Sequence, residues 1–287
     1  MKLSFIGLGV MGYPMAGFLA KAGYHVTVFN RTESKAKKWC EEFNGVFAIS
    51  PLEAAKNADI IFTCVGNDDD VRQVILGPNG AIHGLKKNAI IVDHTTASSV
   101  LAEDLDNNIT NAEGFFLDAP LSGGQAGAES GQLTIMVGGE ESTFSEASPV
   151  MNSYAKACTL IGGVGSGQKA KMVNQICIAG LVQGLAEGLH FAKREKLDIK
   201  AVINAISKGA AQSWQMENRW QTMIDDEFEF GFAVEWMRKD LEIALDEANR
   251  VDANIKVTAL VNEYYKEVES LGGKRFDTSS LIKRLEP

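Results

Sequence analysis

The chain has 287 residues, 45% of them apolar and 23% charged, which is ordinary for a folded globular protein and unlike disordered or fibrous chains. That length exceeds a single hydrophobic core and predicts two domains. A formal net charge of −9 opposes binding to a polyanion, so no nucleic-acid partner is expected.

At the N-terminus, Met1-Lys2 followed by an apolar stretch to Ala20 superficially resembles a secretory signal. Gly7, Gly9, Gly12 and Gly17 interrupt it, and it reads better as strand, turn and helix. No uninterrupted apolar run of about 18 residues follows, so no membrane span is expected. Cys40, Cys64, Cys158 and Cys177 lack metal-ligand spacing and read as buried thiols in a reducing compartment, which places the protein in the cytoplasm. His25, His83, His94 and His190 are equally scattered, and no metal is expected.

Short β-rich runs at 3–6, 25–29, 60–65, 89–92, 115–117 and 133–137 alternate with helical stretches. The pattern predicts βαβ units and a doubly wound, Rossmann-type parallel sheet. Gly7-Leu8-Gly9-Val10-Met11-Gly12 sits directly after the first strand and before a helix. In a dinucleotide site the first glycine permits the turn, the second admits the pyrophosphate and the third lets the helix pack closely. The helix N-terminus then holds the phosphates.

The second strand ends in Asn30-Arg31-Thr32, where an NAD enzyme usually carries a carboxylate for the ribose hydroxyls. Asn30 tolerates a 2′-phosphate, Arg31 offers a planar cationic clamp and Thr32 a hydroxyl, so NADP(H) is expected in preference to NAD(H). The plainer alternative is a solvated Arg31 before a helix capped by Thr32. Val65-Gly66-Asn67 and His94-Thr95-Thr96 follow later strands, where ligands bind in open α/β sheets, and are expected cofactor neighbours. Asp68, Asp69 and Asp70 read as an ordinary helix start.

Asp118-Ala119-Pro120-Leu121-Ser122-Gly123-Gly124 follows another strand. The Ser122 hydroxyl with the amides of Gly123 and Gly124 could cradle a substrate carboxylate, although the segment is also a fair glycine turn between strands. The residues from Gly127 to Gly131 read as loop. Gly162 to Gly167 punctuate the chain, giving an expected NADP-binding domain at 1–163 and an all-helical substrate and oligomerisation domain at 164–287. Its helices are expected at 168–193, the long central one, then 199–208, 214–224, 234–250 and 256–271. Lys171 and Asn174, three apart, share one face of the long helix. They could address one substrate oxygen, with Lys171 moving a proton, or Lys171 could be a surface residue. Trp214, Trp220, Phe230, Phe232 and Trp236 could shape a substrate pocket, but aromatic residues at such spacing are more often core.

Gly7 through Ala16, Asn30-Arg31-Thr32, Asp118 through Gly124, Gly165 through Lys171 to Asn174, and Lys239-Asp240-Leu241 come in the order and spacing of the β-hydroxyacid dehydrogenases, which the whole chain resembles. The resemblance implies hydride transfer between NADP(H) and a small carboxylate-bearing 3-hydroxyacid or semialdehyde; the long helix, apolar on much of its circumference, suggests cover by a partner subunit, and a homodimer or homotetramer is expected. It implies Lys171 as general acid/base, Asn174 as a substrate-orienting amide, Ser122, Gly123 and Gly124 as the carboxylate cradle, Thr96 as a nicotinamide neighbour and Lys239 as a residue of the cleft. Many members carry two successive asparagines where this chain has Asn174-Gln175, and tartronate semialdehyde reductases are similar to it there. A 6-phosphogluconate dehydrogenase would be longer and carry a histidine ahead of the asparagine. Imine reductases and reductive aminases share the architecture but generally lack the lysine, and a non-catalytic NADPH-binding module has no evident need of it.

Overall fold

Strands that are apolar at successive positions must be covered on both faces, and the core divides accordingly. In β1 (Lys2–Ile6), Leu3 and Phe5 join one core cluster while Ile6 joins another. Ile60 and Phe62 of β4 (Ile60–Thr63) lie with the first and Ile61 with the second; Ile90 and Val92 of β5 (Ile90–Asp93) repeat the division around Ile91. Register aligns the layers, pairing Leu3 with Ile60 and Phe62 with Val92.

This computed structural model describes residues 1–285, which form two compact units, Met1–Lys171 and a second beginning at Met172. The first unit continues the alternation with α1 (Gly12–Lys21), β2 (His25–Phe29), α2 (Glu33–Phe43), β3 (Val46–Phe47) and α3 (Pro51–Ala55) before β4. Between β4 and β5 lies α4 (Asp68–Ile75), and then come α5 (Ser99–Asn111) and β6 (Phe115–Asp118). The strands run in the order β3-β2-β1-β4-β5-β6, all parallel, as a doubly wound sheet requires.

Beyond β6 the sheet departs from the all-parallel expectation. After β7 (Leu121–Ser122) and α6 (Gly124–Ser130), β8 (Leu133–Gly139) pairs antiparallel with both β6 and β7. The stretch read as loop at 127–131 is largely α6. After α7 (Glu141–Met151), β9 (Ala155–Gly162) lies parallel to β8. This strand was not expected, because none of its residues is buried and polar and apolar residues are mixed along it.

The 29-residue α8 (Ser166–Arg194) begins within the first unit. The second unit follows with α9 (Ile199–Ile206), α10 (Trp214–Ile224), α11 (Val234–Arg250), α12 (Lys256–Ser270) and a 3₁₀ helix, Thr278–Leu285. Asp198 accepts the Ala201 amide at 3.0 Å and Ser213 that of Met216 at 3.0 Å, capping α9 and α10. Ala179, Val182, Ala186 and Leu189 of α8 recur at helical spacing and bury against Met237, Leu241, Val261 and Tyr265. By length and composition α8 could also cross a bilayer, although polar residues interrupt its apolar stretch and 44% of its most apolar window is buried in the protein. None of the four cysteines is in a disulfide, but Cys177 is exposed and the others only partly covered, so they are not the buried set expected.

Candidate active site

The glycine fingerprint divides its labour as a dinucleotide site needs. Gly7 has φ +100, and a Cβ there would meet the Cys64 carbonyl oxygen at 2.2 Å. A Cβ on Gly12 would lie 1.9 Å from the Gly7 oxygen, so any larger residue would push α1 off its strand. Gly9 has nothing within 4 Å, which leaves the approach to its backbone open. Val10 is exposed, Met11 provides no side-chain cap for α1, and no acidic residue occupies the first helical turn. These are the features that let helix amides receive a phosphate.

Asn30 ties this loop to the end of β2. Its Oδ1 accepts the Leu8 N–H at 3.0 Å while its Nδ2 donates to the Thr32 carbonyl at 3.0 Å. The Arg31 side chain is 90% exposed, with Nη1 3.6 Å from Asp70 Oδ1, a loose ion pair that an incoming anion can displace. Thr32 stands at the N-cap of α2 without making a capping hydrogen bond, so its hydroxyl is not committed to the helix.

At the ends of β4 and β5 the side chains of several expected cofactor neighbours are engaged within the protein. His94 is buried: Nδ1 donates to the Ala119 carbonyl at 2.6 Å, and Nε2 accepts from the Tyr154 hydroxyl at 2.8 Å. Burial pushes its pKa down to about 4, so the ring is neutral. Thr95 is also buried and accepts the Val65 N–H at 3.0 Å. Asn67 caps α4 by accepting the Asp70 amide at 2.8 Å, and Asp68 to Asp70 form the first turn, as read from sequence. Gly66 and Thr96 remain half-exposed at the strand ends.

Two groups that sequence reasoning gave no role hold the start of α8 against these loops. Gln168 donates from Nε2 to the Thr95 carbonyl at 2.7 Å and accepts the Ala97 N–H at 3.0 Å, gripping the backbone on both sides of Thr96. The buried Asp118 carboxylate accepts the Gly165 and Gln168 amides at 2.7 and 2.8 Å, capping α8 from the end of β6. Burial nevertheless pushes the Asp118 pKa up to about 6, and does the same to Asp93, which accepts from the Thr63 hydroxyl at 2.6 Å. A Cβ at Gly167 would lie 2.5 Å from the Asp118 carbonyl oxygen, so this approach of helix to strand needs glycine. One turn further along α8 is Lys171, only 7% exposed, which excludes the surface-lysine alternative.

Ser122 ends β7 half-buried, and Gly123 and Gly124, with φ +129 and +58, turn the chain out into α6 instead of directly into another strand. Both glycines are exposed, so their backbone is open to a ligand. A groove of about 390 Å³ beside α1 is lined by Val10 but by none of the other expected cofactor- or substrate-binding residues, and it is not where these groups gather.

In the second unit Asn174 and Lys239 are joined through two residues that had been noted only as neighbours. Asn174 Nδ2 donates to Gln175 Oε1 at 2.8 Å, Gln175 Nε2 donates to Asp240 Oδ2 at 2.7 Å, and Lys239 Nζ lies 3.2 Å from Asp240 Oδ1. The aromatic cluster is only partly core. Trp220 and Phe232 pack on it, whereas Trp214 is 54% exposed and, with Phe230, flanks the Arg219 guanidinium at 4.7 and 5.0 Å. Trp236 is also exposed.

Comparison with known proteins spans the same arrangement. Residues 2–163 match the family model described as the NAD binding domain of 6-phosphogluconate dehydrogenase, and residues 165–285 match the NAD-binding model of NADP-dependent 3-hydroxyisobutyrate dehydrogenase. The chain is 40% identical over 286 residues to the probable 3-hydroxyisobutyrate dehydrogenase-like 1, mitochondrial, of Arabidopsis thaliana, covering 99% of this chain and 85% of the relative. It is 36% identical over 292 residues to the 2-hydroxy-3-oxopropionate reductase of Escherichia coli (strain K12), covering 100% and 97%. A solved structure of Mycobacterium tuberculosis 3-hydroxyisobutyrate dehydrogenase with L-serine superimposes with a TM-score of 0.91 at 27% identity, over 100% of this chain and 99% of the other.

Proposed function

This chain belongs to the β-hydroxyacid dehydrogenase family, oxidoreductases that use a nicotinamide cofactor, and from that premise we propose that it interconverts a short 3-hydroxyacid and its semialdehyde, using NADP(H) in preference to NAD(H), with Lys171 as general acid/base. The observation that carries the reading is the burial of Lys171 one turn beyond Gln168, whose carboxamide grips the loop bearing Thr96. A lysine brought into so covered a position costs solvation, and proton exchange with a substrate oxygen gives it a use there.

The residues present fit a dinucleotide. The amides of Gly9 to Gly12 would hold the pyrophosphate, Asn30, Arg31 and Thr32 the ribose and its 2′-phosphate, and Val65 to Asn67 with Thr96 the remainder. When bound, the nicotinamide supplies or accepts the hydride. The protein's share is position and proton transfer: Ser122, Gly123 and Gly124 orient the substrate carboxylate, Asn174 directs the reacting oxygen, and Lys171 Nζ gives that oxygen a proton in reduction or takes it in oxidation. The relative that acts on 2-hydroxy-3-oxopropionate also supports a short semialdehyde as the substrate class. The reading extends to a cytoplasmic homodimer or homotetramer without nucleic-acid or membrane partners, supported by the net charge of −9 and by Val173, Leu181 and Phe191, which α8 leaves exposed.

Steady-state assays of short semialdehydes and 3-hydroxyacids with both cofactors test this. NADPH-dependent reduction is expected, and Lys171→Ala should lower kcat by on the order of 10²- to 10⁴-fold while the NADPH Kd stays within about twofold. Undiminished turnover by that variant overturns the role of the lysine. NADPH oxidation that requires an added amine overturns the substrate class.

A further inference from the structure

Asn174 and Lys239 are 65 residues apart in sequence, yet the structure links them through a short chain of polar groups. Gln175 and Asp240, each about 2% exposed, form its middle. Its polarity follows from chemistry. A carboxylate only accepts, so the Gln175 group 2.7 Å from Asp240 Oδ2 must be the NH₂, which turns Oε1 toward Asn174. That oxygen must in turn receive an N–H, so the Asn174 amide is oriented Nδ2 inward at 2.8 Å and Oδ1 outward. Lys239 is drawn in from the other side. Consecutive residues on a helix project about 100° apart, so an ion pair between Lys239 and Asp240 bends the lysine stem across α11 toward the buried carboxylate.

We propose that Gln175 and Asp240 are positioning residues that set the direction of the Asn174 carboxamide and the reach of the Lys239 ammonium for the reaction proposed above, on which this inference rests. The length of Gln175 is part of the device. Asparagine is shorter by one C–C bond, about 1.5 Å, and could not span from α8 to Asp240 while holding Asn174. The departure from two successive asparagines is therefore the residue that closes the bridge. Charge matters as well. Asp240 accepts one amide N–H and forms an ion pair with one ammonium, so Asp240→Asn keeps the shape but releases Lys239 and removes the constraint that fixes which way Gln175 faces.

The test is a double-mutant cycle in the full-length protein, joining Gln175→Asn with Asn174→Ala and reading kcat and KM for a short semialdehyde at saturating NADPH. Gln175→Asn alone should lower kcat about tenfold, with NADPH Kd and melting temperature nearly unchanged. In the Asn174→Ala background it should have no further effect on kcat. Independent, multiplying losses would mean that Gln175 does not act through Asn174 and would overturn the proposal. A second arm needs no turnover. The side-chain amide resonances of Asn174 and Gln175, assigned by substitution, should both move in Asp240→Asn, and an Asn174 signal indifferent to that change also overturns the bridge. Failure of the wild-type protein to reduce any semialdehyde would refute the proposed reaction, and the resonances would still decide the bridge.

Discussion

The strand ends of the first unit and the α8–α11 contact of the second hold their candidate site groups in different ways. Around Gly7 to Gly12, Asn30 and Thr96, what is presented is backbone, and the side chains that matter, Asn30, Gln168 and Asp118, bond to main-chain amides and carbonyls. Around Asn174 and Lys239, what is presented is side chain, held by other side chains around one buried carboxylate. Damage to the first arrangement should therefore register as altered conformation and cofactor affinity. Damage to the second should register in turnover with the fold intact.

The sharpest way to break this contrast lies in the glycine loop. Gly12→Ala places a methyl where the Gly7 oxygen stands, so NADPH affinity should fall by at least about a hundredfold and thermal stability with it. Gly9→Ala has free space around it and should melt like the wild type while still binding NADPH more weakly, both read by fluorescence titration and thermal denaturation. A Gly9 variant with unchanged affinity would place the pyrophosphate elsewhere.

Next in size is Asp118→Ala, which strands two buried amides and should cost about 2–5 kcal/mol of stability in urea titrations. Set beside Asp240→Asn, expected to lose turnover and little stability, it puts the two kinds of carboxylate in direct opposition. If Asp118→Ala unfolds at the wild-type midpoint, the distinction fails. Arg31→Ala should then reduce the preference for NADPH over NADH about tenfold in Kd, as loss of one charge-assisted contact predicts, and an unchanged ratio would remove Arg31 from the 2′-phosphate site.

The smallest effect concerns pH. His94 has a native pKa lowered to about 4, so below about 6.5 the unfolded chain takes up the proton first, and this contribution to stability is lost as pH falls from about 6.5 toward 4. Asp93 and Asp118, raised to about 6, act oppositely: their contribution is greatest below about 4 and is lost as pH rises through about 6. His94→Asn removes only the first component. Its deficit in melting temperature relative to wild type should shrink as pH is lowered from 6.5 to 4, and a deficit independent of pH would mean that the ring is not held neutral.

The contrast also explains what could be read in advance. Backbone-built features announce themselves locally, because a turn that needs Gly7 or a helix that opens at Ser213 shows in the identity of one or two residues. Five of the six strands from β3 to β6, all but the two-residue β3, were legible through their apolar runs, and the extents of α8 to α12 through their helical pattern. β9 was not, since none of its residues is buried and its polar and apolar residues are mixed. His94 looked like a cofactor neighbour by its place at a strand end, and only the packing of Tyr154 against it reveals a structural ring. Gln168, Gln175 and Asp240 gave no role in sequence because each acts on a group at least 62 residues away or through such a contact, and no local pattern encodes that. A glutamine in the first turn of a glycine-led helix was the available signal for Gln168.

That same glutamine has an evolutionary consequence. One carboxamide fastens both the residue before Thr96 and the residue after it to the start of the helix that carries Lys171. Randomised libraries aimed at the 95–97 segment, for instance to retune cofactor choice, will meet epistasis with position 168: backbone shapes unacceptable beside glutamine can become viable once a different partner residue is selected there. Diversifying both positions together should recover solutions that sequential rounds discard.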